Sequence, residues 1–258
     1  MKRIIIACLL AACCARGDWT IGVTGGNIDV TDGVIQAWSP LNYGPVAWYR
    51  ADDTALDSSG TNDAAWLGTS LYTTGYTGLS GDSSFLLSSN RALTCGNPVD
   101  LQITNGLTVA AWVYPTGIGG SFTDGIFTKF ATTGTQRGYT LERMVAAPYA
   151  LRAFVSFNGE SAGDVSATVM GSAIPADSWQ HVVMVFRPSA SIEAWQNGAQ
   201  TASNDVAFAN IHNSTASADI GQVQATASRR FVGRIDEVMV FDRALSAAEI
   251  KQLYNWRQ

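Results

Sequence analysis

The sequence predicts an all-β fold, an antiparallel two-sheet jelly-roll sandwich with a short C-terminal helix. Three observations carry this. Apolar and polar residues alternate over successive short runs, which is the period of a strand. Turn signals rich in Gly, Asn, Asp and Ser separate those runs at intervals of roughly ten residues, as a sandwich requires. Helical periodicity is confined to the final segment, and strands do not alternate with helices as they would in a parallel sheet.

The length of 258 residues suits one sandwich-sized domain as well as two smaller ones. Hydrophobic residues make up 47% of the chain and Trp supplies eight positions, enough for a sizeable core. The formal charge of −5 argues against nucleic acid, whose phosphates demand basic patches. No apolar run is long enough to span a bilayer.

Residues 1–15 read as a signal peptide: Lys2-Arg3, an apolar run from Ile4 to Ala12, then small residues. Leu10-Ala-Ala-Cys13 also resembles a bacterial lipobox, which makes Cys13 the candidate lipidation site and a lipid anchor the one expected membrane contact. An ordinary leader cut near Ala15 is the alternative. Loss of Lys2 and Arg3 takes the formal charge from −5 to −7. Cys8, Cys13 and Cys14 all lie in this stretch, so Cys95 stands alone in the body and is expected as a small buried hydrophobe. Residues 16–45 form a lead-in segment with turn signals at Thr24-Gly-Gly-Asn27 and Thr31-Asp-Gly33. Trp19 and Trp38 prefer burial, so part of this lead-in should pack on the domain that follows, residues 46–258.

Within that domain, Val46-Ala-Trp-Tyr-Arg50 precedes an oxygen-rich loop, Asp52 to Asp63. Leu107 to Tyr114 alternates cleanly and Pro115 ends it. Gly125–Phe130, Tyr139–Arg143 and Ala150–Phe157 are further strands, and Trp179 to Phe186 is apolar in both phases, as an interior strand would be. Ile192-Glu-Ala-Trp-Gln196 and Ala199-Gln-Thr-Ala202 flank Asn197-Gly198, the dipeptide of a type I′ hairpin turn. Phe231 to Phe241 closes the series as a central strand, with Phe231, Ile235 and Met239 in one phase and Val232, Val238 and Val240 in the other. Asp236 interrupts it. Ser246 and Glu249 then form a capping box, placing Ala247, Ile250, Leu253 and Tyr254 on one helix face.

Taken in order, these segments resemble a laminin G-like jelly roll of the concanavalin A-like lectin/glucanase superfamily. The resemblance runs through Val46–Arg50 with Leu56-Asp-Ser-Ser-Gly60, Leu107–Pro115, Ser178-Trp-Gln-His-Val-Val183 and Ile192–Gly198. It ends with Gly233-Arg-Ile-Asp-Glu-Val238 and Asp242–Glu249, so it covers about residues 46 to 256. Relatives of this kind commonly hold a structural Ca²⁺ between an early loop and the Asp of the closing strand. Carried over, that makes Asp57, Asn62 and Asp236 the implied metal ligands, with Ca²⁺ as structural cofactor; Ca²⁺ takes six to eight oxygens from such loops. Two other readings stay open. Asp236 could pair with Arg234 or Arg243 or accept backbone N–H bonds, and Asp57 could cap its own turn.

Enzyme readings find little support. Gly159-Glu-Ser-Ala-Gly163 fits the hydrolase elbow by letter, but strand-like sequence follows it where the elbow needs a helix. Glycoside hydrolysis needs two facing carboxylates. None of Glu142, Glu160, Glu193, Glu237 and Glu249 begins the Glu-x-Asp-x-x-Glu pattern of the related glucanases, and Glu193 has no visible partner. His181 is expected as a core residue hydrogen-bonded across the sheet, and Trp48, Trp112 and Trp179 as core. Trp195, Tyr72 and Tyr76 are the candidates for a surface platform on which a sugar could stack. The expected function is therefore an exported, non-catalytic binding module, secreted or cell-surface, recognising glycan or extracellular protein through loops on a rigid sandwich. The alternatives are a structural component of a surface assembly or virion and, third, a glycoside hydrolase.

Overall fold

The computed structural model describes residues 28–31, 34–120, 122–160, 166–224 and 229–256. The signal peptide, Cys13, Trp19 and Ser161 of the hydrolase-like pentapeptide lie outside the described residues. Strands β1 (Ile28–Thr31) and β2 (Val34–Ala37) pair as a separate antiparallel hairpin. Seven strands then build one sheet: β4 (Ala65–Leu67), β7 (Ala92–Gly96), β9 (Thr123–Phe130), β10 (Arg137–Met144), β11 (Ala150–Ser156), β12 (Ser166–Ala173) and β16 (Ala218–Ile220). Edge to edge they run β12–β11–β10–β9–β16–β7–β4. The eight-stranded sheet contains β3 (Ala47–Tyr49), β5 (Tyr72–Thr74), β6 (Ser83–Leu87), β8 (Leu107–Pro115), β13 (Gln180–Arg187), β14 (Ser191–Gln196), β15 (Ala199–Asp205) and β17 (Gly233–Phe241). Its order is β15–β14–β13–β8–β17–β6–β5, with β3 paired to β17. The helix α1 spans Ala247–Asn255.

The side-chain period of two decides what lies between the sheets. On β8, Leu107, Val109, Ala111 and Val113 enter the shared core, while Ala110 and Trp112 face the other way. Leu141, Leu151, Ala153 and Phe127 meet them from the seven-stranded sheet. Cys95 lies in this core as a buried free thiol, pushed up to about 12 by burial. The hairpin expected at Asn197-Gly198 is present, with φ of 53° and 75°, both in the region a type I′ turn needs.

The closing strand β17 is central, as its composition predicts, but its two phases are not those of an unbroken strand. Its register against β8 shifts between Asp236 and Met239, and Glu237 takes a positive φ of 48°. This bulge inserts a residue and reverses the alternation. Ile235, Val238 and Val240 therefore enter the inter-sheet core, whereas Met239 and Phe241 face outward. Ile235 and Met239, expected in one phase, lie on opposite faces.

Helix α1 covers the outward face of the eight-stranded sheet. Ser246 Oγ accepts from Glu249 N at 3.3 Å and the Glu249 carboxylate accepts from Ser246 N at 2.7 Å, the reciprocal box expected from sequence. Ile250, Leu253 and Trp256 pack there with Trp38, Trp48, Trp195 and Leu245; Ala247, expected on this face, is exposed. Trp38 shows that part of the lead-in does pack on the domain. Ser246→Ala is expected to cost about 1 kcal/mol in urea denaturation, by leaving a first-turn N–H without its acceptor.

Candidate functional site

The two outward sheet faces differ, and the difference places the residues expected to bind ligand. Trp195 is only 6% exposed; it packs beneath α1 and its Nε1 donates to Glu193 Oε2 at 2.9 Å. This corrects its expected role as a surface platform: the hairpin tip is exposed, but Trp195 points to the face that the helix seals. The Glu193 carboxylate is filled by donors from Arg187, Ser191 and Trp195. Tyr72 belongs to edge strand β5 and packs against Phe85, its hydroxyl accepting from Trp66 Nε1 at 3.0 Å. Tyr76 stacks on Trp112, ring centroids 4.4 Å apart and 13° between planes, and donates its hydroxyl proton to Trp256 O at 2.7 Å. Both tyrosines are half-buried and serve packing, because each hydroxyl finds a partner within the fold. Trp48 and Trp112 are buried as expected, but Trp179 is half-buried against Tyr114.

His181 is buried against Trp112 and Tyr254, but among the described residues its Nδ1 has no hydrogen-bond partner, against the expectation of a satisfied core histidine. Burial pushes its pKa down to about 3, so the ring is neutral.

The three implied metal ligands divide between two sets of partners. Asp57 Oδ1 accepts from Trp48 N, Ser59 N and Ser59 Oγ, and its Oδ2 accepts from Asn62 N, so Asp57 caps its own turn. Asn62 Nδ2 donates to Val46 O and Asp100 Oδ2. Asp236 instead accepts from Tyr76 N at 3.0 Å and Glu237 N at 2.8 Å, the backbone alternative rather than an arginine pair. Gly75 is where Asp236 meets Asp82: a Cβ there would lie 2.4 Å from Asp82 Oδ2 and 2.8 Å from Asp236 Oδ2. Burial, then the Glu237 and Asp82 charges, hold the Asp236 carboxyl well above the usual carboxylate range. Among the described residues no three His, Cys, Asp or Glu side chains form a group suited to a metal ion.

The outward face of the seven-stranded sheet has a different make-up. Here the non-core phase of β9, β10 and β11 brings Thr128, Phe130, Thr140, Glu142, Arg152 and Phe154 side by side. Glu142 is fully buried and ion-paired with Arg152 and with Arg229 at 2.9 Å. The guanidiniums of both arginines lie over Phe122, with Arg152 also over Phe154 and Arg229 also over Phe130. Arg137 covers Phe130 at 5.7 Å, held by Gly159 O and Thr132 O. The result is a strip of interleaved aromatic and guanidinium planes, and Phe122 on it is 54% exposed. At one end a cavity of about 170 Å³ opens between Phe130, Ala131, Ala216, Ser217, Asp219 and Gln224. The sequence reading missed this face. Its signal was charge at the centre of strands: Glu142 and Arg152 occupy the polar phase of otherwise apolar runs, where Thr or Ser would serve a purely solvated face.

Comparison with known proteins agrees with this architecture. Residues 87–251 match the family model described as the concanavalin A-like lectin/glucanases superfamily. No curated protein matches the chain by sequence. Among solved structures, domain 4 of a GH43 extracellular arabinanase from Geobacillus stearothermophilus, in complex with arabinotriose, is similar at TM-score 0.61 and 18% identity. That match covers 81% of this chain and 98% of the other. The binding domain of Paraclostridial Mosquitocidal Protein 1 is similar at 0.62 and 14%, covering 81% and 51%. The binding domain of Botulinum Neurotoxin DC, in complex with SialylT, is similar at 0.61 and 13%, covering 84% and 52%. The chain thus spans about half the length of these toxin binding domains. At such identities the likeness speaks for the fold.

Proposed function

The chain belongs to the concanavalin A-like lectin/glucanases superfamily, and from that premise we propose that it is an exported, non-catalytic module that binds carbohydrate on the outward face of its seven-stranded sheet. One observation carries the choice of face: α1 and four Trp close the other face, whereas this one leaves Phe122 exposed and, across Arg229 from it, opens a cavity of about 170 Å³ at Phe130. Sugars present C–H faces to aromatic rings and hydroxyls to amides and carboxylates. Phe122 supplies the first, and Gln224, Ser217 and Asp219 the second. That two solved structures of the same fold carry arabinotriose and SialylT supports a glycan over a protein ligand.

The test is glycan-array screening of the leaderless protein followed by titration calorimetry on Phe122→Ala. Because Phe122 is exposed, the variant should fold normally and lose at least about tenfold in affinity, roughly 1.4 kcal/mol. Unchanged affinity would exclude this face, and no bound glycan at all would remove the proposal.

A structural Ca²⁺ belongs to the same proposal, with a revised ligand set. Asp57 does not fit, because its oxygens already take three donors from its own turn and a fourth, Trp48 N, from β3. Asp236 and Asp82 fit better: Asp236 accepts from Tyr76 N and Glu237 N and Asp82 from Thr77, but the two carboxylates converge at Gly75, and a cation bound there would relieve their mutual repulsion. EDTA should then lower Tm and added Ca²⁺ restore it, while Asp236→Asn abolishes the response. An Asp236→Asn protein as sensitive to EDTA as the parent would exclude Asp236 as a ligand.

A further inference from the structure

We infer that the ligand of this face is a carboxylate-bearing oligosaccharide, of the uronic-acid type, rather than a neutral one; the inference rests on the glycan-binding reading above. It starts from charge. In a chain with a formal charge of −5, four cations gather on and beside this face: Arg137, Arg152, Arg229 and Arg230. Among the described residues three carboxylates answer them. Glu142 is spent beneath the strip on Arg152 and Arg229, Asp219 sits near Lys129, and Glu160 lies on the exposed turn beside Arg137. The surplus is positive, against the sign of the whole chain.

Two of the cations are placed to use that surplus. Among the described residues, neither Arg137 nor Arg230 forms an ion pair. Arg137 is held by Gly159 O and Thr132 O, and Arg230 by Gln222 Oε1 and Ser89 O. Both are half-buried, so each guanidinium is oriented by neutral acceptors while keeping its full charge. A planar guanidinium with donors to spare matches the two oxygens of a carboxylate, and such charge-assisted pairs are about twice as strong as neutral hydrogen bonds. Arg137 also lies over Phe130, a wall of the cavity, so a sugar ring seated there would bring its carboxylate to the guanidinium edge.

The experiment compares three matched probes by titration calorimetry: a uronic-acid oligosaccharide, its carboxyl-reduced neutral counterpart, and a sulfated form of the neutral one. The uronic-acid probe should bind at least about tenfold more tightly than the neutral probe, and more tightly than the sulfated one. Its affinity should fall as salt rises from about 0.05 to about 0.5 M, as screening demands. Arg137→Gln should remove most of that preference while leaving binding of the neutral probe in place. Arg230→Gln is a second variant in case position 137 affects folding, checked by an unchanged melting curve. Equal binding of acidic and neutral probes, with Phe122 still required, would overturn the inference and leave the glycan-binding reading intact. Preference for the sulfated probe, or an acidic preference untouched in both arginine variants, would also overturn it. Binding of none of the three, with no glycan on the array, would remove both.

Discussion

Glu142→Ala is expected to destabilise the fold by about 3–5 kcal/mol, the range for removing one partner of a buried ion pair. Glu142 is 0% exposed, and its carboxylate answers two guanidiniums whose side chains are 13% and 14% exposed. Without it, Arg152 and Arg229 remain as neighbouring cations on a largely buried surface, with the desolvation of both uncompensated. Glu142→Gln should fall between wild type and Ala, since an amide retains one acceptor oxygen but no charge. Urea denaturation at neutral pH reads the effect. A loss below about 1 kcal/mol for Glu142→Ala would mean that the pair is solvated, as surface pairs are.

The second large effect is acid sensitivity from His181. Burial holds its pKa down at about 3, against 6.5 for the free side chain. The unfolded chain therefore binds a proton below pH 6.5 that the folded chain refuses. The stability tied to this residue is complete above that pH and is lost as pH falls toward 3. Its slope is about 1.4 kcal/mol per pH unit, summing to about 4–5 kcal/mol. Asp124 acts in the opposite sense: burial raises it to about 6, so its contribution favours the fold at low pH and is lost between 3.8 and 6 as pH rises. The raw stability profile mixes these with the raised Asp236, which acts in the same sense as Asp124. His181→Phe isolates the histidine, putting a ring for a ring between Trp112 and Tyr254 and removing an unpartnered Nδ1. The difference between variant and parent should be small at pH 8 and should grow in the variant's favour as pH falls. A difference independent of pH would show that His181 takes up its proton in the folded state.

Much of the fold was legible because strands and caps are local. The alternation of Leu107–Tyr114, the Asn197-Gly198 turn and the Ser246/Glu249 box each fix geometry through neighbours a few residues apart. The phase of β17 was not legible, because one residue at Glu237 leaves the strand geometry and nothing in its identity announces a positive φ. The proposed site was hidden for a related reason. Trp195 and Tyr76 have the composition of a sugar platform, but whether a ring is free depends on which face α1 covers, and that is decided by packing over long sequence separations. Phe122, Arg137 and Arg229 meet only once β9, β10 and the segment before β17 are in place. Of the two readings left open for Asp57, metal ligand or cap of its own turn, its hydrogen bonds match the cap, a local arrangement that the Asp-x-Ser-Gly spacing already suggests.

The closure of one broad face by α1 also governs valency. A sandwich with both outsides open could bridge two glycan chains; if this one binds glycan as proposed, the helix and four indoles laid over its eight-stranded side would leave one recognition surface per copy among the described residues. Avidity would then come from numbers, through several copies displayed together at high effective concentration. Copies tethered in one orientation would all present the same side, so that many weak contacts could add up to firm attachment.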